Sequence, residues 1–309
     1  MNALVIVRTP FQAWLVEKVL EKENIDVFDI LYFTQNDSTE DKYYYNKLSS
    51  KSRKSDYIFV RPQRFDILSS FMFRVKSRLW YGMSVYDTVI CASIDALFIS
   101  SLVRAYSKSK LITLDDGTAN ININSCYFLE SNSKKVLIYR YLFNALPLKD
   151  LKLRIDKHYT LYKGQKNIVN SERLVYLDGW TNNISRDKSK SKVYFLGAPF
   201  ETVMSKEQID RFEKYVSELK VDTYVAHPRE RKLLEIGAKL LDKKGRIAEE
   251  AIIADAQDAS ITLVGIFSTV MLNIGDICES RIVLLPKDSL QTPELFELSK
   301  KAGCTPILI

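Results

Sequence analysis

Three short groups of residues in this chain combine types and spacing that chemistry can use. The first is Asp115-Asp116-Gly117-Thr118, directly after the apolar run Leu111-Ile112-Thr113-Leu114. Two carboxylates at a strand end perturb one another, because both cannot ionise cheaply when close together. One of them can then take a proton from a hydroxyl. The second is His227-Pro228-Arg229, after Tyr224-Val225-Ala226. Proline holds the residue before it in extended geometry and suits the first position of a helix. His227 is therefore expected at a strand end beside a helix N-terminus, where a cationic or proton-donating imidazole stabilises a phosphate leaving group. The only other histidine, His158, lies in a Lys-His-Tyr context that reads as surface or early strand. The third is Gly265-Ile266-Phe267-Ser268-Thr269, after Ile261–Val264 and before the apolar Val270-Met271-Leu272. Two hydroxyls at a helix start bind an anion together with the backbone N–H groups and the helix dipole.

Each group alone has an ordinary explanation: a turn, a packed or capping histidine, a plain N-cap. Their joint placement carries more weight. The acid pair follows the last expected strand of the first half, and the histidine and hydroxyl pair follow strands of the second.

The elements that must position these groups alternate between strand and helix, which implies parallel sheets with helical crossovers. First-half strands are expected at Leu4–Val7, Ile30–Phe33, Tyr57–Val60, Thr88–Ala92 and Leu111–Leu114. The first helix is the best marked, with Thr9 as N-cap, Pro10 at the first helical position and Gln12 completing a capping box. No glycine-rich phosphate loop of either familiar pattern follows the first strand. Ser185–Lys192 is polar and alternately basic and reads as an inter-domain linker. It separates a first domain, 1–188, from a second, 189–309. Second-domain strands are expected at Val193–Leu196, Thr223–Ala226, Ile261–Val264 and Ile282–Leu285. Helices are expected at Lys206–Leu219, Arg229–Leu241, Ala248–Ala256, Thr269–Gly275 and Pro293–Ala302. Two α/β domains joined by one linker imply a cleft, and in open α/β sheets ligands bind beyond the carboxyl ends of strands.

Composition agrees with a soluble globular chain of two domains: 309 residues, 46% hydrophobic, with ample apolar content for sizeable cores. Cys91, Cys126, Cys278 and Cys304 match no zinc or redox spacing and read as free thiols, as in a reducing cytosol. No apolar run is long enough to span a membrane, and the start lacks the features of a signal peptide. A cytoplasmic protein is expected. The formal charge of +7 suits an acidic partner without selecting one. The basic residues are not interleaved with aromatics as in a nucleic-acid-binding sheet, so nucleic acid is not expected.

The Asp-Asp-Gly motif, the later His-Pro and the downstream hydroxyl pair resemble the bacterial sialyltransferases of the GT-B type. The short length, the opening Val7-Arg8-Thr9-Pro10-Phe11-Gln12 and Tyr162-Lys163-Gly164 are most similar to glycosyltransferase family 52, which includes lipooligosaccharide and capsular sialyltransferases. The resemblance implies two Rossmann-like domains facing a cleft, CMP-sialic acid as donor, inversion at the anomeric carbon and a galactose-terminated acceptor. Carried over by motif, Asp116 is the base, with Asp115 as its neighbour and alternative. His227 assists the CMP phosphate, and Ser268 and Thr269 bind it, with Pro228 and Gly265 shaping the same site. Two serines are common where this chain has Ser-Thr, and threonine keeps the hydroxyl. A carboxylate for the cytidine ribose is expected at Glu249 or Glu250, with Glu250 preferred. No metal or cofactor is expected, because the adjacent acids differ from the spaced pair of many metal-dependent glycosyltransferases.

Acceptors of such enzymes are often glycolipids. Phe65–Trp80 and Val136–Ile155 are apolar and basic, so peripheral contact with an anionic membrane is an expectation beside the plainer one of core helices. A homodimer is compatible with the sequence. The rival readings are a polysialyltransferase or another nonulosonic acid transferase, and, outside enzymes, a nucleotide- or glycan-binding module.

Overall fold

The structure, a computed structural model, describes residues 1–60, 84–129, 133–180 and 186–309, together with Val75 and Leu79. Most of the expected Phe65–Trp80 amphipathic segment lies outside the described residues. The chain divides into two compact units, Met1–Leu177 and Asp178–Ile309.

Unit 1 contains, in order, β1 (Asn2–Val7), α1 (Pro10–Lys22), β2 (Val27–Thr34), α2 (Thr39–Ser49), β3 (Lys54–Phe59), β4 (Thr88–Cys91), α3 (Leu97–Ala105), β5 (Lys110–Leu114), α4 (Lys134–Phe143), α5 (Leu148–Arg154), β6 (Lys157–Thr160) and β7 (Leu174–Tyr176). Its strands form one parallel sheet in the order β3-β2-β1-β4-β5-β6-β7. β1 is central, and Ala3 to Val7 are fully buried, as a strand covered on both faces requires. One face packs Leu4, Ile6, Leu31 and Cys91 against Ile99, Leu102 and Leu151. Each such aliphatic side chain contributes about 1.5–3 kcal/mol on burial. Thr9 caps α1 by accepting from the Gln12 N–H at 3.2 Å. The Gln12 side chain does not close the expected capping box and is used elsewhere.

Unit 2 contains β8 (Asp187–Leu196), α6 (Phe200–Val203), α7 (Lys206–Glu218), β9 (Thr223–Val225), β10 (Lys239–Leu240), α8 (Ala248–Ala256), β11 (Ala259–Gly265), α9 (Thr269–Asn273), β12 (Ser280–Leu285), α10 (Thr292–Lys301) and β13 (Thr305–Leu308). The parallel order is β10-β9-β8-β11-β12-β13. Two apolar clusters cover its faces, one built on Tyr194, Ile252 and Leu263, the other on Phe195, Phe212 and Leu284. One edge strand, β10, has two residues, and the other, β13, carries Pro306.

The polar tract expected to be a linker is mostly strand. Its charged residues have partners at the end of α8, in the turn that follows and at the start of β11. Lys190 meets Asp258 at 2.8 Å, Arg186 donates to the Ala259 carbonyl, and Lys192 donates to the Asp255 carbonyl. The division between units consequently falls before this tract, between Leu177 and Asp178, rather than at 188. The helix expected at Arg229–Leu241 does not form. Leu234 and Ile236 are buried while Leu233 and Glu235 are exposed, which is the period of an extended chain. The Leu234 N–H donates to the Tyr224 hydroxyl instead of a helical carbonyl.

In each sheet the strand order reverses beside the first strand, between β1 and β4 and between β8 and β11. Such switch points open a crevice at the carboxyl ends of the strands. Asp116 follows β5, His227 follows β9 and Ser268 follows β11, each beyond the carboxyl end of its strand.

Candidate active site

In unit 1, three neighbouring strands deliver side chains to one carboxylate. Asp116 stands two residues after β5 and is half-buried. Its Oδ1 accepts from Gln12 Nε2 at 2.7 Å, from the first turn of α1. Its Oδ2 accepts from Ser93 Oγ at 2.8 Å, just past β4, and from the Tyr127 hydroxyl at 2.9 Å. The backbone N–H of Asp116 donates to Asn120 Oδ1 at 2.6 Å, and Gly117 turns the chain with φ +59°. The loop then folds Tyr127 back over the carboxylate, and the Lys152 ammonium of α5 donates to the Tyr127 carbonyl. Burial and the Asp116 charge hold the Tyr127 hydroxyl well above its ordinary pKa.

Asp115 has a different role. It is fully buried, its Oδ2 accepts from the Leu161 N–H at 2.8 Å, and its Oδ1 lies 3.2 Å from His158 Nε2. Thr113 Oγ1 is 2.8 Å from the other ring nitrogen. The two acids therefore serve separate networks and do not share a proton site. Asp115 ties the β5 turn to β6, and only Asp116 has exposed surface. His158, expected at the surface or early in a strand, is the second residue of β6 and completely buried. Tyr162-Lys163-Gly164 follows that strand directly, with Gly164 at φ +73°.

Arg8, at the end of β1, donates its N–H to Gln12 Oε1 at 2.8 Å. Its guanidinium rests 5.8 Å from the ring centres of Phe33 and Phe98.

In unit 2, His227 stands at the end of β9 and is half-buried. Its N–H donates to Glu230 Oε2 at 3.1 Å, and the Arg229 N–H donates to its Nδ1 at 3.1 Å. The ring proton of the neutral imidazole is thereby placed on Nε2. Burial, then Arg229 and Lys243, push His227 down to about 4. Of the two forms expected from sequence, cationic or proton-donating, the lowered pKa and the Arg229 contact favour the neutral ring that donates from Nε2. Pro228 starts no helix, but it stands in the turn that Glu230 closes. Burial raises the pKa of Glu230 and the Tyr224 hydroxyl opposes that shift. Lys243 donates to the Ala226 carbonyl at 3.2 Å and lines a groove of about 420 Å³ between β10 and α8.

Gly265 closes β11, where an added Cβ would sit 2.8 Å from the Leu196 carbonyl oxygen, so the β8–β11 approach requires glycine. Ser268 caps α9 without making a side-chain cap bond, and its Oγ is buried with no hydrogen-bond partner. Thr269 begins the helix beside it and is half-buried. In α8, Glu249 is buried, held by Asn273 Nδ2 at 2.8 Å, and its pKa is raised by burial. Glu250 is half-buried.

The chemistry these residues offer is a fixed carboxylate in unit 1 and, in unit 2, an imidazole N–H after β9 and two hydroxyls after β11. Comparison with known proteins gives this a family. Residues 26–288 match glycosyltransferase family 52. The chain belongs to glycosyltransferase family 52. Within reach of this family 52 chain is a CMP-N-acetylneuraminate:beta-galactoside alpha-2,3-sialyltransferase of Pasteurella multocida, 25% identical over 296 residues, spanning 94% of this chain and 92% of the relative. An N-acetyllactosaminide alpha-2,3-sialyltransferase of Haemophilus influenzae is 25% identical over 274 residues, 88% of each chain. Among solved structures, a Listeria monocytogenes protein assigned as a UDP-N-acetylglucosamine 2-epimerase aligns with TM-score 0.57 at 12% identity, covering 95% of this chain and 81% of that one. The glycotransferase of kitacinnamycin aligns with TM-score 0.51 at 10% identity, over 99% and 85%. The fold of this family 52 glycosyltransferase is therefore two Rossmann-like units of the GT-B type.

Sequence reasoning missed Gln12, Ser93, Tyr127 and His158 as site residues. Gln12 had a local explanation as a cap, and Ser93 and Tyr127 stand in no motif. For His158 the signal was its position two residues before the end of a short strand.

Proposed function

We propose that this family 52 enzyme transfers sialic acid from CMP-sialic acid to a terminal galactose of a bacterial lipooligosaccharide or capsular glycan, forming an α-2,3 linkage with inversion. The observation that carries the reading is Asp116: a half-exposed carboxylate fixed by three donors at a strand end. The names of its relatives supply the substrate class. Asp116 takes the proton of the acceptor hydroxyl as that oxygen attacks the anomeric carbon. The bond from that carbon to the CMP phosphate oxygen breaks, and CMP leaves with the electron pair. His227 donates a hydrogen bond from Nε2–H to the departing phosphate and keeps its proton. Ser268 and Thr269 supply hydroxyls to the same group, and the unpartnered Ser268 Oγ supports this role. Pro228 and Gly265 hold the backbone of this anion site. Glu250 grips the cytidine ribose, because it is half-exposed whereas Glu249 is buried.

Neutral donors and helix-end N–H groups suffice for a single phosphate on a good leaving group, so turnover is proposed to be independent of divalent metal. Incubation with CMP-sialic acid and a panel of galactosides, with and without excess EDTA, tests the whole reading. Product identified by mass spectrometry and NMR as an α-2,3-sialylgalactoside, formed equally with chelator, is expected. Transfer from a different CMP-activated nonulosonic acid alone, or extension of sialic acid itself, would replace the substrate assignment. CMP binding without donor consumption would mark a binding module.

For a glycolipid acceptor, a cytoplasmic enzyme must reach the inner membrane face. Among the described residues no helix is long and apolar enough to cross a membrane. α4 exposes Leu137, Ile138, Tyr141 and Leu142, with Lys134 and Arg140 on the same helix. This is the composition of a surface-lying segment. Flotation with anionic vesicles at low salt should carry the protein upward. Flotation equal to that with neutral vesicles would remove the membrane contact from the proposal.

A further inference from the structure

The carboxylate of Asp116 has about four lone-pair sites, and among the described residues three donors occupy them. Oδ2 accepts twice, from Ser93 and Tyr127, and Oδ1 once, from Gln12. The donors come from three places in the chain: the first turn of α1, the residue pair after β4, and the loop after β5.

Their arrangement is directional. Gln12 uses both amide protons, one on Asp116 and one on Ser93 Oγ at 2.9 Å, while its Oε1 accepts from the Arg8 N–H. Reversing the amide would set its oxygen against the carboxylate and its NH₂ against a backbone donor. Ser93 Oγ accepts from Gln12, so its single proton goes to Asp116. Tyr127 is buried beside the charge and remains a proton donor across the working pH range. Ser93 also holds φ +48°, a conformation that costs a non-glycine residue energy and persists where surrounding structure over-determines it.

We infer that Gln12, Ser93 and Tyr127 are positioning residues that lock the Asp116 carboxylate in one orientation and leave a single lone pair, on Oδ1, for the acceptor hydroxyl. This rests on Asp116 as the base. The alternative role for such a network is stability alone, because buried polar groups in any fold are satisfied. The two roles separate in kinetics. A positioning residue acts through Asp116, so its loss lowers kcat, leaves donor binding alone and has no effect once Asp116 is gone. Misplacement of a reacting group by an ångström costs on the order of a hundredfold.

The experiment uses the full chain with CMP-sialic acid and a galactoside. Gln12→Met, Ser93→Gly and Tyr127→Phe each remove one donor, and Ser93→Gly suits the positive φ, so it retains the backbone. Each is compared alone and combined with Asp116→Asn, with circular dichroism melts to verify folding. The expected result is a fall in kcat of about tenfold to a hundredfold for each single variant. The KM for the donor stays within about twofold, and the Asp116→Asn background shows no further loss, as for residues acting as one unit. Unchanged kcat in folded variants, a rise in donor KM at constant kcat, or an equal additional loss in the Asp116→Asn background would each overturn the inference. Asp116→Asn with wild-type kcat would instead overturn the base assignment. An inactive Asp116→Asn beside three fully active donor variants would sink the positioning role alone.

Discussion

The clusters at the two switch points are built on one plan and finished differently. In unit 1, residues after β1, β4 and β5 converge on Asp116, and every donor in the network has its acceptor. In unit 2, residues after β9 and β11 leave an imidazole with its proton on Nε2, and a Ser268 hydroxyl with no partner. The difference fits the tasks proposed. A base must be aimed before the acceptor arrives, and preorganisation is where most of its advantage comes from. A phosphate site gains its hydrogen bonds from the ligand, so incompleteness in the free protein leaves room for that gain.

The largest test of this contrast is removal of each reacting group. Asp116→Asn should lower kcat by about 10²–10⁴ with CMP affinity unchanged, whereas His227→Asn should lower kcat and weaken CMP together. Steady-state kinetics with calorimetric CMP titration separates the two, and equal effects on CMP would erase the division of labour.

Next in size is pH. His227 is held at about 4 in the folded chain against an ordinary 6.5. Above pH 6.5 it is neutral in both states and contributes no slope. As pH falls from about 6.5 to about 4 the unfolded chain takes up the proton first. Stability declines through that window, by up to about 3 kcal/mol from this group, and then levels. Urea unfolding of His227→Asn should show that decline reduced, and an unchanged acid slope would mean the ring is not buried neutral. The unit 1 cluster carries no such histidine on Asp116.

The smallest effects are on stability at neutral pH. Tyr127→Phe breaks a satisfied network and should cost about 1–2 kcal/mol. Ser268→Ala removes an orphan hydroxyl and should cost no more than about 0.5 kcal/mol, while donor KM rises about tenfold. A Ser268→Ala loss as large as that of Tyr127→Phe would show that unit 2 is as internally complete as unit 1.

Much of this was legible in the chain because the relevant signals are local. The strands that carry Asp115, His227 and Gly265 are apolar runs ended by turn residues, and the fold follows from their alternation with helices. Partnerships were not legible. Gln12 lies 104 residues from Asp116 and Ser93 lies 23 away, and nothing in a local window encodes such contacts. His158 was left between surface and early strand because its strand has four residues and begins with lysine, too little for a period to decide. The stretch at 229–241 is rich in helix formers, but packing of alternate residues into the core of unit 2 overrode propensity. The charged tract before Val193 resembled a linker because its partners, Asp255 in α8 and Asp258 just before β11, lie more than sixty residues away in the chain.

The edges of the second sheet also govern how the protein behaves when crowded. A two-residue strand on one side offers almost no template for a second chain, and on the other Pro306 lacks the N–H that a growing ladder needs. Self-association in concentrated solution should therefore not proceed by strand addition to this sheet, and Pro306→Val would remove half of that protection.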